Sequence, residues 1–277
     1  MFSIFNSVNE KQRPLVMGIL NVTPDSFFET GKSFFAESAF NRALEIESDG
    51  ADIIDVGGCS TSPGKSFASF EEELSRLKTV LPLIPNTVDI PVSVDTFRPQ
   101  IASFALENGV TIVNDESGVF QAEMASLVKE YNASWVFMHT GNKTSSETRE
   151  YKKGVVSDVL EFFKSMKEQA LNIGIKEDKL CFDYGIGFGK TREDDLTLLQ
   201  NTDAFSDFKP LLVGVSNKRV VGQATGREVN DRLFGTISAE CVSAFLGAGV
   251  IRTHNVKACV DMVNMVASIK KGGFING

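Results

Sequence analysis

Short apolar runs recur along the chain with room for one helix between successive runs: LVMGILNV (15–22), ADIIDVGG (51–58), IPVSVDT (90–96), VTIVND (110–115), SWVFMHT (134–140), KLCFDYG (179–185), PLLVGVS (210–216) and VIRTHNV (250–256). Their apolar character is continuous rather than alternating, which predicts parallel strands covered on both faces. Between them, FAESAFNRALEIESDGA, FEEELSRLKTVLPLI, QIASFALENG, AEMASLVKEYN, VLEFFKSMKEQALNIG and SAECVSAFLGAG place apolar residues at helical spacing, and several end on Gly or Asn as helix C-caps do. Eight such alternations predict an α/β fold, a (β/α)8 TIM barrel in a single domain over 1–277, with a doubly wound open sheet as the alternative.

Polar residues stand at the C-terminal ends of these runs: Asn21, Asp95, Asn114 with Asp115, His139, Asp183, and Arg252 with His254. Any one of them, taken alone, reads as a cap or turn former, His139 as a hydrogen-bonded core histidine, and Lys218 as a solvated lysine. Repetition at most of the strand ends favours the barrel, because that fold gathers those ends at one mouth, where its sites form. Arg252 and His254 are two apart on one strand and share a face, which makes an anion clamp.

Composition narrows the chemistry. A formal charge of −8 over 277 residues argues against a nucleic-acid surface but not against a small anion held by a few local cations. No run of about 18 apolar residues spans a membrane, and the N-terminus does not read as a signal peptide. Cys59, Cys181, Cys241 and Cys259 form no metal-ligand spacing and read as cytoplasmic thiols, which leaves the sequons at Asn21, Asn132 and Asn142 as chance matches.

The stretches MGILNVTPDSF (17–27), DVGGCSTSPG (55–64), VSVDT (92–96), NDESG (114–118), MHT (138–140), FDYGIGFGK (182–190), VGVSNKR (213–219) and RTHNV (252–256) resemble, in order over the whole chain, the successive motifs of the dihydropteroate synthase family. The resemblance implies a Mg-dependent homodimeric transferase of folate biosynthesis. It would join 6-hydroxymethyl-7,8-dihydropterin diphosphate to p-aminobenzoate and release diphosphate. By the same resemblance Asp183, with Asp95 and Asn114, holds the pterin edge, Lys218 donates to its acceptor side, and Phe188 flanks the p-aminobenzoate ring. Thr61 also binds substrate, Asn21 is the Mg ligand, and Arg252 and His254 clamp the diphosphate. Asp95, Lys218, Arg252 and His254 form the catalytic set. Loops after strands 1 and 2 carry the Gly and Pro residues of mobile lids.

Several positions depart from the family pattern. Cys59 stands for a Glu, Ser62 for an Arg, Tyr184 for a Pro, and Asn217 and Arg219 flank the retained Lys218. They gather on the p-aminobenzoate side, where Arg219 reads either as a solvent-facing arginine without a role or as a replacement for the cation lost at Ser62 that pairs with the p-aminobenzoate carboxylate. They also leave open a diverged paralogue that couples another amine or has lost synthase activity, a non-catalytic pterin-binding barrel, and a corrinoid-type methyltransferase.

Overall fold

The computed structural model describes residues 3–22, 32–59, 68–141 and 149–275, without the side chains of Phe5 and residues 32–35. Eight parallel strands close on themselves in sequence order: β1 (Leu15–Asn21), β2 (Ile53–Gly57), β3 (Val92–Asp95), β4 (Ile112–Asp115), β5 (Ser134–Met138), β6 (Leu180–Asp183), β7 (Leu211–Val213) and β8 (Val250–Thr253). β8 returns to β1 with Leu15 opposite Val250, so no edge is left. The closed barrel replaces the open-sheet alternative.

The helices are α1 (Ile4–Lys11), α2 (Lys32–Ser48), α3 (Phe70–Val80), α4 (Pro99–Glu107), α5 (Ala122–Glu130), α6 (Val155–Asn172), α7 (Arg192–Gln200), α8 (Arg219–Thr225), α9 (Leu233–Phe245) and α10 (Val256–Lys271). The apolar pattern places α2, α3, α4, α5, α6 and α9, but runs α3 on to Ile84. The helix stops at Val80, two residues short of Pro82, whose ring cannot follow a helical turn. It passes over α1, α7, α8 and α10. In α7 the starting signal is chemical, a Thr191–Asp194 capping box ahead of Glu193, Asp194 and Asp195.

Side chains alternate about the barrel wall. Odd positions of β1 and β2 and their equivalents point inward. The lower layer is apolar, made of Leu15, Met17, Ile53, Ile112, Val136, Cys181, Leu212 and Val250, and Ile4 of α1 closes it from below. The opposite parity faces the helices, with Val16, Ile54, Val94, Val113, Trp135, Phe182 and Ile251 in the larger outer core. Gly18 lies on that outer side because α2 and α10 come too close for a side chain: a Cβ there would meet Ile46 at 2.5 Å and Val256 at 2.9 Å.

The same parity separates the rim residues. His139 and Asp115, grouped with the mouth by sequence position, point away from it. His139 is buried, its Nε2 is 3.1 Å from Asp158 of α6, and its ring meets Phe162 edge-on. Burial, then Lys190 and Arg149, push its pKa down to about 2, so it is a neutral core histidine. Asp115 accepts from Trp135 Nε1 at 3.2 Å and Ser117 N at 2.8 Å. Tyr184 is likewise outward and fully buried, 3.3 Å from the Thr202 hydroxyl, so this departure belongs to the outer core rather than to the second-substrate side.

Candidate active site

Continuing each inward row upward from the apolar floor brings Asp55, Asp95, Asn114, Asp183 and Arg252 together as a polar cluster, with Asn21 and His254 nearer the rim. Arg252 is the hub. Its Nε donates to Asp55 Oδ2 at 2.6 Å, its Nη2 donates to Asp95 Oδ2 at 2.6 Å, and Asn114 Nδ2 donates to the same Asp55 oxygen at 3.1 Å. Burial works against the Arg252 charge, but Asp55, Asp95 and Glu116 overcome it and hold the guanidinium above its ordinary range. Asp95 is pushed well up, first by burial and then by the neighbouring Glu116 carboxyl, which hydrogen-bonds it, while Arg252 opposes the shift.

Across the mouth, Asp183 is buried and accepts from Gly185 N at 2.7 Å through one carboxylate oxygen. Burial raises its pKa, and Lys218, the Gly185 N–H, Lys190 and Arg252 oppose it. Lys218 follows β7, donates to the Ile186 carbonyl at 2.7 Å and lies 4.8 Å from the Phe188 ring centroid. Asn217 before it adopts φ 57°, a left-handed conformation that a short polar side chain tolerates. Arg219, the first residue of α8, is exposed at the rim.

His254 N donates to Ser216 Oγ at 3.2 Å, and the His254 Nδ1 is 3.0 Å from the same oxygen. Burial first, then Arg252, Lys218 and Arg42, lower its pKa to about 4. The clamp inferred from sequence therefore holds one cation and one neutral imidazole, with Arg252 already engaged by two carboxylates.

Asn21 is exposed at the end of β1. A Cβ added to Gly57 would lie 3.7 Å from Asn21 Oδ1 and 3.6 Å from Asp95 Oδ2, so the missing side chain leaves a cradle walled by an amide oxygen and a carboxylate. No cluster of three or more His, Cys, Asp or Glu residues suited to a metal occurs among the described residues. Hard oxygen donors beside an open cradle nonetheless fit Mg2+, which takes one or two protein oxygens and completes its shell with water and phosphate. Thr61 and Ser62, and nearly all of both lid segments, lie outside the described residues.

The stem of the second of those segments is fastened by hydrogen bonds. Arg76 Nη1 donates to the Gly58 carbonyl at 2.8 Å, Ala68 N donates to Cys59 Sγ at 3.3 Å, and Arg98 Nη2 donates to the Ala68 carbonyl at 2.7 Å. Glu73 of α3, almost wholly buried, joins Arg98 to the Thr96 hydroxyl, which donates to it at 2.8 Å.

The profile of the pterin binding enzyme family matches residues 17–254, from β1 to just past β8. The dihydropteroate synthase of Bacillus subtilis (strain 168) is 36% identical over 275 residues, 98% of this chain and 94% of that protein. This chain belongs to the dihydropteroate synthase family. A Clostridium difficile dihydropteroate synthase solved in the presence of pteroic acid superposes with a TM-score of 0.87 at 36% identity, covering 93% of this chain and 97% of that one. The Xanthomonas albilineans synthase with 4-aminobenzoic acid also reaches 0.87, at 34% identity and 94% of each chain.

Sequence reasoning passed over Asp55, Glu116, Lys190 and Ser216. Asp55 carried a usable signal, since a carboxylate two residues beyond inward Ile53 in an apolar strand must meet a cation inside the barrel. Ser216 and Lys190 bind main chain or a neighbouring strand end, which spacing does not reveal.

The lowered pKa of His254 has a sign that can be tested. Its folded value, about 4, lies below the ordinary 6.5, so between those values the unfolded chain binds a proton that the folded chain refuses. Stability is then lost as pH falls from about 6.5 to about 4. Urea unfolding of wild type should lose about 1.4 kcal/mol per pH unit more than His254→Gln across that window. Parallel curves would refute the neutral assignment.

Proposed function

We propose that this chain is a Mg-dependent, cytoplasmic transferase that condenses 6-hydroxymethyl-7,8-dihydropterin diphosphate with p-aminobenzoate, giving 7,8-dihydropteroate and diphosphate. The observation that carries the reading is the fixed polar layer around Arg252, in a chain that matches synthases over nearly its full length. Four cysteines outside any disulfide support the cytoplasmic placement.

Asp183, with one oxygen on Gly185 N, keeps the other for the adjacent N–H donors of the pterin, and Asn114 and Asp95 serve the rest of that edge. Lys218 donates to the acceptor side of the ring. Arg252 receives the diphosphate, and His254 and Asn21 stand beside it. The C–O bond to diphosphate breaks with its electrons going to oxygen, the amine nitrogen bonds the methylene carbon, and the nitrogen gives up a proton. No protein nucleophile is needed, so the residues position, exclude water and stabilise the leaving group. When bound through Asn21, magnesium supplies charge neutralisation to the diphosphate.

Phe188, half-buried beneath Lys218, flanks the p-aminobenzoate ring, with Thr61 contributing from the loop after β2. Arg219, exposed one residue beyond Lys218, pairs with the carboxylate and replaces the cation missing at Ser62. The chain pairs with a second copy of itself through α9 and α10, which expose Phe234, Val242 and Phe245, and Met265 and Ile269. Lys270 donates to the Phe245 carbonyl at 2.9 Å, so the two faces adjoin in one apolar patch.

Purified protein given Mg2+, the pterin diphosphate and p-aminobenzoate should release diphosphate and form dihydropteroate. Asn21→Ala should cut turnover about 100-fold and raise the Mg2+ requirement; unchanged Mg2+ dependence would remove Asn21 as the ligand. Arg219→Ser should raise KM for p-aminobenzoate about tenfold, the equivalent of about 1.4 kcal/mol, and unaltered kinetics would leave Arg219 a surface residue. Sedimentation should give a dimer for wild type and a monomer for Ile269→Glu; a monomeric wild type would refute the interface.

A further inference from the structure

The segment GIGFGK between β6 and α7 carries Phe188, yet it has no ladder to hold it. Gly185, Gly187 and Gly189 all have positive φ, at 65°, 82° and 63°. Such a backbone turns its carbonyls in different directions and is costly to order because glycine is so free in the unfolded chain. Three of those carbonyls, of Gly185, Ile186 and Phe188, are taken by two lysines on opposite sides.

Lys218 takes the Ile186 carbonyl from the mouth. Lys190, 1% exposed, takes the others from within: its Nζ donates to Gly185 O at 2.9 Å, Phe188 O at 3.0 Å and His139 O, at the end of β5, at 3.1 Å. An ammonium has three N–H groups, and here each meets one carbonyl. Burial lowers its pKa to about 7, and Asp195 and Asp183 oppose that shift. Asp195 also accepts from Gly187 N at 2.7 Å, and Tyr151 OH donates to Gly189 O at 3.1 Å. There is no slack against β5, since a Cβ on Gly185 would sit 2.1 Å from the His139 oxygen.

The geometry points to Lys190 as a positioning residue for the second substrate: by holding the Gly185, Phe188 and His139 carbonyls on one ammonium, it fixes the loop that aims the Phe188 ring at p-aminobenzoate. It touches no substrate. The inference rests on the placement of p-aminobenzoate against Phe188. A planar guanidinium could not converge three N–H groups on these three oxygens, and an apolar side chain would take the Lys190 donor from the His139 carbonyl and leave the Gly185 and Phe188 carbonyls only the backbone N–H of Phe188 at 3.1 Å and of Gly141 at 3.4 Å.

The test is a double-mutant cycle on the intact enzyme with saturating pterin diphosphate. Lys190→Met should raise KM for p-aminobenzoate about tenfold while kcat changes less than about threefold. Phe188→Ala should raise the same KM, and in that background Lys190→Met should add less than about twofold, because the two act through one ring. A lysine of structural importance only would lower Tm and the active fraction and leave KM alone. If Lys190→Met does not fold, Lys190→Gln, with two N–H groups for three carbonyls, is read the same way. Phe188→Ala with unaltered KM would overturn the placement of p-aminobenzoate and this inference with it. A raised KM for Phe188→Ala beside an unmoved or fully additive Lys190 variant would overturn the role of Lys190 alone.

Discussion

One guanidinium organises the inside of this barrel. Arg252 rises from β8 between Asp55 of β2 and Asp95 of β3, and Asn114 of β4 joins through Asp55, so four strands are cross-linked by charge where a barrel of this size would ordinarily be filled by branched apolar side chains. Such a layer is expensive to desolvate, and removing one partner from a buried pair costs about 3–5 kcal/mol. It persists because β8 closes against β1, which leaves Arg252 no route to bulk water except the mouth itself. An anion arriving there meets a cation whose position is already fixed and whose charge is already half spoken for by carboxylates.

The division between dry floor and charged mouth follows from it. Eight inward side chains and Ile4 of α1 make a buried apolar base, and the polar residues begin above it. Low polarisability below and fixed dipoles above strengthen the interaction of Arg252, Asp183 and Lys218 with a charged ligand. His254 remains neutral because it is buried and, after that, because Arg252 and Lys218 lie near it.

The strands, their order and the barrel were legible because continuous apolar runs and turn residues are local signals. The inward residues Asp95, Asn114, Asp183 and Arg252 were legible by position at the strand ends. His139 and Asp115 were not separable from them, because a shift of one residue along a strand reverses its face and the sequence does not mark where the wall begins. Asp55 sat too deep in its run to look like a rim residue. Lys190 looked like a motif ending rather than a scaffold, since its partners are main-chain oxygens without sequence identity. α1 escaped notice because it is short and its only fully buried side chain is Ile4 among the described ones.

The stem between β2 and α3 has an evolutionary consequence. Arg76 holds the outgoing strand at Gly58, the Cys59 sulfur receives the returning Ala68 N–H, and Arg98 secures Ala68 from β3's side, so the two ends are fastened to each other and to the barrel independently of what connects them. A junction built this way behaves as a socket. The register of β2 against β3, with Gly57 opposite Asp95, then belongs to the strands and this stem. Substitution within residues 60–67, at Ser62 for one, is thereby uncoupled from the placement of Asp55 and Asp95, which stay with their strands.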